Sequence, residues 1–306
     1  MFVLTVKMKH SVPSFPLGNP GSAPVSVRSM KNCPKFLVCL LAALTPMHAN
    51  GATLRTSPSL LDQGYWQMYD LQFANAHNSF QEWEQAHSHD PLGPTSDAAA
   101  YLFSEFNRLG ILQANLFVID KDFEKRRVER PDPSTKKAFE AALTKSDKLA
   151  AAALAKSPQD PNALFAKVLN LGLRADYLAL IEKRNLASMS IMKRGGLLAD
   201  KLLKIDPTCY DAYLATGVEN YILGLNPAPV RWLLRLYGAQ TDKSLGIQKL
   251  RLTAEKGHYL RPYARLLLAV AALRDHNQKK ARDLLQGLAQ EFPNNGLYRE
   301  ELAKLH

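Results

Sequence analysis

The chain has 306 residues, of which 46% are hydrophobic, and its formal net charge is +11. A chain of this length can bury a sizeable core. Beyond residue 60, Leu, Ala, Lys, Glu and Arg dominate, and runs of alternating Val, Ile or Thr are missing. This composition argues against a fold built on strands and favours an all-α protein.

The first 51 residues have the composition of a leader. Two lysines precede the apolar run Phe36 to Leu44, and Ala49-Asn50-Gly51 supplies small residues of the kind that a signal peptidase reads. The run is shorter than the roughly 20 apolar residues that a membrane-spanning helix needs. We therefore predict a secretory signal peptide over about residues 30–51, with Met30 as the translation start.

Loss of this leader changes the charge and the cysteine content of the chain. Residues 1–51 hold five basic and no acidic residues, so 34 basic and 28 acidic residues remain, for a net charge of +6. This small surplus argues against a nucleic-acid partner. Residues 52–306 are expected to form one exported domain, periplasmic or at the cell envelope, without a transmembrane span. Cys209, its one cysteine, is expected to be a small buried residue and not a nucleophile.

Four segments of this domain share one spacing of small and apolar residues ahead of a proline. In chain order these sets are Ser79, Trp83, Ala86 and Pro91; Ser146, Ala150, Ala153 and Pro158; Gly195, Ala199, Leu202 and Pro207; and Ala281, Leu285, Leu288 and Pro293. A small residue lets two helices approach closely, the later residues fill the space between them, and proline stops a helix. The pattern predicts four helices that are each the second of a helical hairpin.

The two C-terminal hairpins also show first-helix residues. Tyr213 and Gly217 occupy the large and small positions of one first helix, and its partner helix is expected to end at Gly257 in a left-handed cap. The last hairpin spans Pro262 to Asn295, with Leu268, Ala269 and Ala272 on its first helix. Residues 296–305 are predicted to form a terminal helix that covers the last open face.

The terminating prolines are unevenly spaced, at intervals of 67, 49 and 86 residues. Uniform repeats would give multiples of about 34 residues. We therefore predict three insertions, at Asp120 to Pro133, Leu171 to Arg194 and Gly224 to Gln240. The last contains the amphipathic segment Pro229 to Tyr237.

These residues resemble the tetratricopeptide repeat (TPR) family, in pattern over residues 58–305 and most clearly over 207–295. The resemblance implies a right-handed α-solenoid of TPR-like helical hairpins with insertions. It also implies an inner groove, lined by the first helices, that binds peptides, proteins or occasionally small ligands.

That geometry predicts an apolar inner groove in the last two hairpins. Its lining would be Leu214, Val218, Tyr221, Tyr263, Leu266, Val270 and Leu273. An exposed apolar surface of this kind marks a binding site or a covered interface. Either the groove is open to a peptide or an apolar ligand, or the segment around Trp232 folds back and fills it. Arg231 and Arg235 lie four residues apart on the other face of that segment.

No motif of catalysis or metal binding stands out. The histidine-rich stretch contains His77, His87, His89 and Asp90, but His87 and His89 would diverge on a helix and no third ligand is assured. Arg194-Gly195-Gly196 has no preceding strand and is better explained by close helix packing than by phosphate binding. We expect neither catalysis nor a cofactor nor a metal site.

Two functions fit these observations. The first is an exported, noncatalytic TPR-like scaffold that mediates protein–protein interaction at the cell envelope, with a protein or peptide partner. The alternative is a periplasmic small-molecule-binding component, similar to the TPR-built accessory proteins of solute transporters, that holds a small apolar ligand. Both use the same groove, and they differ in whether it is open or closed.

Overall fold

The computed structural model describes residues 58–112, 130–228, 231–232, 236 and 240–305. These residues form eleven α-helices and no strand, which confirms the predicted all-α class. The helices are α1 Leu60–Tyr69, α2 Phe73–Ala86, α3 Leu92–Arg108, α4 Pro133–Lys156, α5 Pro161–Asp176, α6 Asn185–Ile205, α7 Tyr213–Gly224, α8 Lys243–Lys256, α9 Arg261–Arg274, α10 Gln278–Glu291 and α11 Gly296–Ala303.

Each helix packs against the next one along the chain, so the fold is a succession of helical hairpins. The first helices α1, α3, α5, α7 and α9 alternate with the second helices α2, α4, α6, α8 and α10. Helix α11 packs on α10 at the end of the series, as predicted for a terminal helix.

The proline-ended second helices are confirmed. Helices α2, α4, α6 and α10 end two to five residues before the four prolines of the shared pattern. The leading small residue of each set is buried: Ser79, Ser146, Gly195 and Ala281. Small side chains at these positions allow the close helix packing on which the pattern depends.

The predicted insertions have different outcomes. Most of Asp120 to Pro133 lies outside the described residues. The insertion after Leu171 contains a π-helical turn, Tyr177–Ile181, between α5 and α6. Of the third insertion, the described residues include Arg231, Trp232 and Leu236.

Glycine brings α7 and α8 into backbone contact. A Cβ atom on Gly246 would lie 2.5 Å from the backbone nitrogen of Tyr221 and 2.8 Å from the carbonyl oxygen of Gly217. Neither backbone atom can move aside as a flexible side chain would. Helix α8 can therefore pack this closely on α7 only because residue 246 has no side chain.

Gly257 ends α8, but the predicted left-handed cap is wrong. Its backbone is extended, with φ −62° and ψ 152°. A Cβ atom there would lie 2.5 Å from Oδ1 of Asp211. Glycine is needed at this position because a carboxylate approaches the backbone, and not because the chain adopts positive φ.

The two ends of the described series meet. Oδ1 of Asp70, just after α1, accepts the backbone N–H of Asn294 at 2.9 Å, and Oδ2 accepts its side-chain amide at 2.6 Å. The Asn295 amide donates to the carbonyl oxygen of Tyr69 at 2.8 Å. The Tyr69 and Phe292 rings lie 5.7 Å apart, so hydrogen bonds and apolar packing close the series together.

The contact at Gly246 can be tested by Gly246→Ala. We expect the free energy of unfolding to fall by at least about 2 kcal/mol, because the added methyl group is forced against backbone atoms. Gly287→Ala is the matched control: Gly287 also lies inside a helix, but a Cβ there meets nothing within 4 Å. That variant should be up to about 1 kcal/mol more stable than the wild type. Equal effects of the two substitutions in urea unfolding would contradict the packing described.

Candidate functional site

A cavity of about 100 Å³ lies at the centre of the described series of helices. All five first helices contribute to its wall, and so does the second helix α6. The cavity is therefore built by residues from the whole series and not by one hairpin. Its closure depends on the meeting of α1 with the C-terminal end of the series.

The wall of the cavity is mostly apolar. Of the residues predicted to line a groove, Leu214, Val218 and Tyr263 do line the cavity. Leu173 of α5 and Met192 of α6 add further apolar surface to the wall. A concave, mostly apolar space with a few polar groups is the usual form of a small-molecule site.

Aromatic rings form one continuous part of the wall. Tyr65 and Tyr69 on α1 have ring centroids 6.5 Å apart. Phe103 on α3 makes edge-to-face contacts with Tyr69 at 5.9 Å and with Tyr263 at 5.5 Å. These four rings therefore connect α1, through α3, to α9.

The cavity reaches solvent at Gly172 on α5. This glycine lines the cavity and is also exposed, and a Cβ on it would meet no atom within 4 Å. The position has no packing reason to lack a side chain, although glycine weakens a helix interior. Gly172 thus marks an opening between the cavity and the outside.

Most polar groups of the wall are satisfied within the protein. Oγ1 of Thr95 contacts Oγ of Ser146 at 2.6 Å and donates to Oδ1 of Asn170. The Ser188 hydroxyl donates to the carbonyl oxygen of Ala175 at 2.8 Å. Such groups stabilise the helices around the cavity and leave little capacity for a ligand.

Asp211 accepts the first N–H groups around the start of α9. Its carboxylate accepts from the backbone of His258 and Tyr259 at 2.9 Å and of Leu260 at 3.1 Å. Burial raises the pKa of this carboxyl group, while the three N–H donors oppose that rise. Asp211 is therefore a structural carboxylate that joins α7 to α9 beside the cavity.

Asp176, the last residue of α5, is differently placed. It lies deep in the fold and lines the cavity, where it keeps an intermediate exposed fraction. The hydroxyl of Tyr263 donates to Oδ2 of Asp176 at 3.3 Å, which is long for such a bond. Burial raises the pKa of Asp176, and burial likewise raises that of Tyr263. Among the described residues, the Asp176 carboxylate thus accepts one side-chain hydrogen bond, although it has two oxygens that can accept.

Three other residues predicted to line the groove lie away from the cavity wall. Tyr221 and Val270 are buried in the core, at 1% and 2% exposure. Leu266 is partly buried and borders a separate small space beside Leu112 and Tyr298. The groove lining was predicted from the geometry that the TPR resemblance implies, and a sequence pattern does not separate a groove-facing side chain from one that faces the neighbouring helix.

The segment around Trp232 does not fill the cavity at its described residues. Trp232 is 64% exposed, Leu236 is 63% exposed, and neither lines the cavity. Nη1 of Arg231 donates to the carbonyl oxygen of Asn226 at 2.8 Å. Arg235 lies outside the described residues. At Arg231, Trp232 and Leu236, the described residues of this segment, the chain therefore does not cover the cavity.

A cluster of polar side chains that was not predicted from the sequence lies around Gln240, the last residue of the third insertion. Gln240 donates its side-chain amide to Asp200 at 2.6 Å and accepts from Asn220 at 2.5 Å. Its backbone N–H donates to Glu219 at 3.4 Å. Burial raises the pKa of Glu219 to about 7. Gly196 packs directly on the Glu219 carboxylate. This contact agrees with the close helix packing that was predicted for Arg194-Gly195-Gly196.

The histidine-rich stretch makes contacts within the protein. Nδ1 of His77 lies 2.5 Å from Oδ1 of Asp97, and the His87 ring stacks on Trp83 with centroids 3.7 Å apart. Among the described residues, no group of three or more His, Cys, Asp or Glu side chains is placed to hold a metal ion.

Cys209 is half-buried, and burial raises its pKa to about 11. Its thiol is thus protonated at neutral pH. The thiolate, which is the nucleophilic form, is scarce there.

Gly172 and Asp176 were not predicted as site residues from the sequence. Both lie in α5 within the insertion that begins after Leu171, where the repeat pattern gives no register. A helix-interior glycine followed four residues later by an acid was the one available signal. It is weak, because exposed helix faces carry the same combination.

Searches of protein-family models, of curated proteins and of solved structures find no match for this chain. Across the part of the chain that the structure describes, no helix has the length and apolarity needed to cross a membrane.

The role of Asp211 can be tested by Asp211→Ala. We expect a loss of at least about 3 kcal/mol in the free energy of unfolding, because three backbone N–H groups lose their acceptor in the protein interior. The control is Asp242→Ala, which removes an exposed cap whose carboxylate accepts a single N–H, from Leu245. That change should cost about 1 kcal/mol. A similar loss in both variants, measured in urea, would show that Asp211 does not join the two helices.

Proposed function

We propose that this protein binds a small, largely apolar molecule in the central cavity. The observation that carries the proposal is a cavity with apolar walls, contributed by helices from the first to the last hairpin and opening at Gly172. A site that only packed the core would be filled by side chains, since protein interiors leave few voids larger than water.

The proposal includes the remaining expectations from the sequence. On this view the chain is an exported, noncatalytic protein of the periplasm or cell envelope, built as a right-handed TPR-like solenoid. It would act as a small-molecule-binding component, similar to the TPR-built accessory proteins of solute transporters. The succession of hairpins, with first helices facing the cavity, supports this view.

Gly172→Leu tests the proposal by placing a side chain in the opening. The variant should fold, because leucine favours helix more than glycine does and finds open space at this position. We expect the full chain to bind toluene, a neutral probe of suitable size, and the variant to bind it at least tenfold more weakly. Binding is measured by calorimetry and ligand-observed NMR.

The matched control is Gly287→Leu, on α10. It adds the same side chain to a helix-interior glycine with open space, outside the cavity wall. This variant should bind toluene as the wild type does. Native mass spectrometry of the purified full chain provides a second measurement, in which a retained small molecule is expected. Absence of toluene binding to the wild type, together with absence of any retained molecule, would refute the proposed function.

A protein-interaction scaffold is a second candidate function. Its supporting observation is the exposure of Trp232 and Leu236, two large apolar side chains in one short segment. Exposed aromatic and aliphatic side chains are frequent anchors of protein interfaces. In this case the partner would bind the outside of the protein, while the cavity would serve another purpose.

The double variant Trp232→Ala/Leu236→Ser tests the scaffold. Stability should change by less than about 0.5 kcal/mol because both side chains are exposed. If the segment is an interface, a protein that copurifies with the wild type from an envelope extract should be lost from the double variant. It should be retained by the control Leu186→Ser, in which a leucine 75% exposed on α6 is changed. Retention by both variants would exclude the segment as the interface.

A further inference from the structure

The charged side chains that the described residues contribute to the cavity wall are both acidic. They are Asp176 and Asp211, and no described lysine, arginine or histidine lines the cavity. Asp211 is already bound by three backbone N–H groups. Of these two described carboxylates, Asp176 is the one that accepts fewer hydrogen bonds, with one from the Tyr263 hydroxyl.

A carboxylate in apolar surroundings is costly unless a cation or several donors satisfy it. Within the described residues, the hydrogen bond to the Asp176 side chain comes from Tyr263, at 3.3 Å. The other side chains of the α5 C-terminal turn are engaged elsewhere: Nη2 of Arg174 donates to Asp147 at 2.7 Å. Among the described residues of the wall, no cationic side chain lies beside the Asp176 carboxylate, which faces the cavity.

The aromatic rings lie where a cation beside Asp176 would contact them. Tyr263 touches Asp176 through its hydroxyl group and touches Phe103 through its ring. Phe103 in turn contacts Tyr69. The face of an aromatic ring carries negative potential and attracts ammonium groups, and aromatic walls are a recurrent means of binding them.

We propose that the cavity selects a small organic ammonium cation with a short apolar body, with the ammonium group at Asp176 and Tyr263 and the apolar body against the aromatic wall. This inference rests on the proposed function, because it names the class of molecule that the cavity binds. An ammonium group would donate a charge-assisted hydrogen bond to the Asp176 carboxylate, which is stronger than a neutral one. A neutral alcohol of the same shape would lack that interaction, and a carboxylic acid would be repelled by both aspartates.

The test compares benzylamine with benzyl alcohol, two probes of nearly equal size, on the full chain by calorimetry. We expect benzylamine to bind at least tenfold more tightly. In Asp176→Asn this preference should fall to less than threefold, through weaker binding of benzylamine and with little change for benzyl alcohol. Tyr263→Phe keeps the ring and removes the hydroxyl, so it should retain most of the preference.

Asp283→Asn is the control for charge. It removes one negative charge from an exposed position on α10, outside the cavity wall, and should leave the preference unchanged. Thermal unfolding of each variant shows whether it is folded. If Asp176→Asn is not, the wild-type comparison of the two probes still decides the inference, since equal binding overturns it.

The outcomes separate this inference from the proposed function. Equal binding of the two probes, or a preference that survives Asp176→Asn, would overturn the ammonium site while toluene binding still supports an apolar cavity. Failure of toluene and of both benzyl probes to bind would overturn the proposed function as well.

Discussion

The contact between Asp70 and Asn294 is the constraint on which the site depends. It joins residues 224 positions apart, through two hydrogen bonds to one fully buried carboxylate. Bonds to a charged acceptor are among the stronger ones in proteins, and a buried acceptor left unpaired would be costly. Without this closure, α1 would leave the C-terminal end of the series, and the cavity would become an open groove.

Closure also explains why the interior contains carboxylates. Successive hairpins bury helix termini against one another, and each terminus leaves unpaired backbone groups that need partners. Asp211 satisfies three of them at the start of α9, and Gly257 allows the carboxylate to approach. Asp176 has a different place, where α5 continues directly into the π-helical turn Tyr177–Ile181. It therefore does not satisfy the backbone groups of a helix terminus as Asp211 does.

Much of the fold could be predicted from the sequence because its information is local. A proline ends a helix through its own ring, and a small residue at a fixed distance before it sets how closely the next helix packs. These rules located the ends of four helices and the terminal helix α11. The cap at Gly257 was mispredicted because the reason for that glycine is a carboxylate 46 residues earlier in the chain, and no local rule contains such a contact.

The cavity could be predicted only in part, for a physical reason that its residues illustrate. The TPR resemblance implied that Leu214, Val218 and Tyr263 lie on an inner face, and they line the cavity. Whether that face bounds a groove or an enclosed space depends on the closure by Asp70, a contact that repeats do not encode. Asp176 could not be predicted for two reasons. It lies in an insertion, where the spacing pattern gives no register. Its place beside four aromatic rings from three helices also depends on contacts between distant parts of the chain. The proposed ligand site therefore depends on contacts between distant parts of the chain, whereas the succession of helices follows from local spacing.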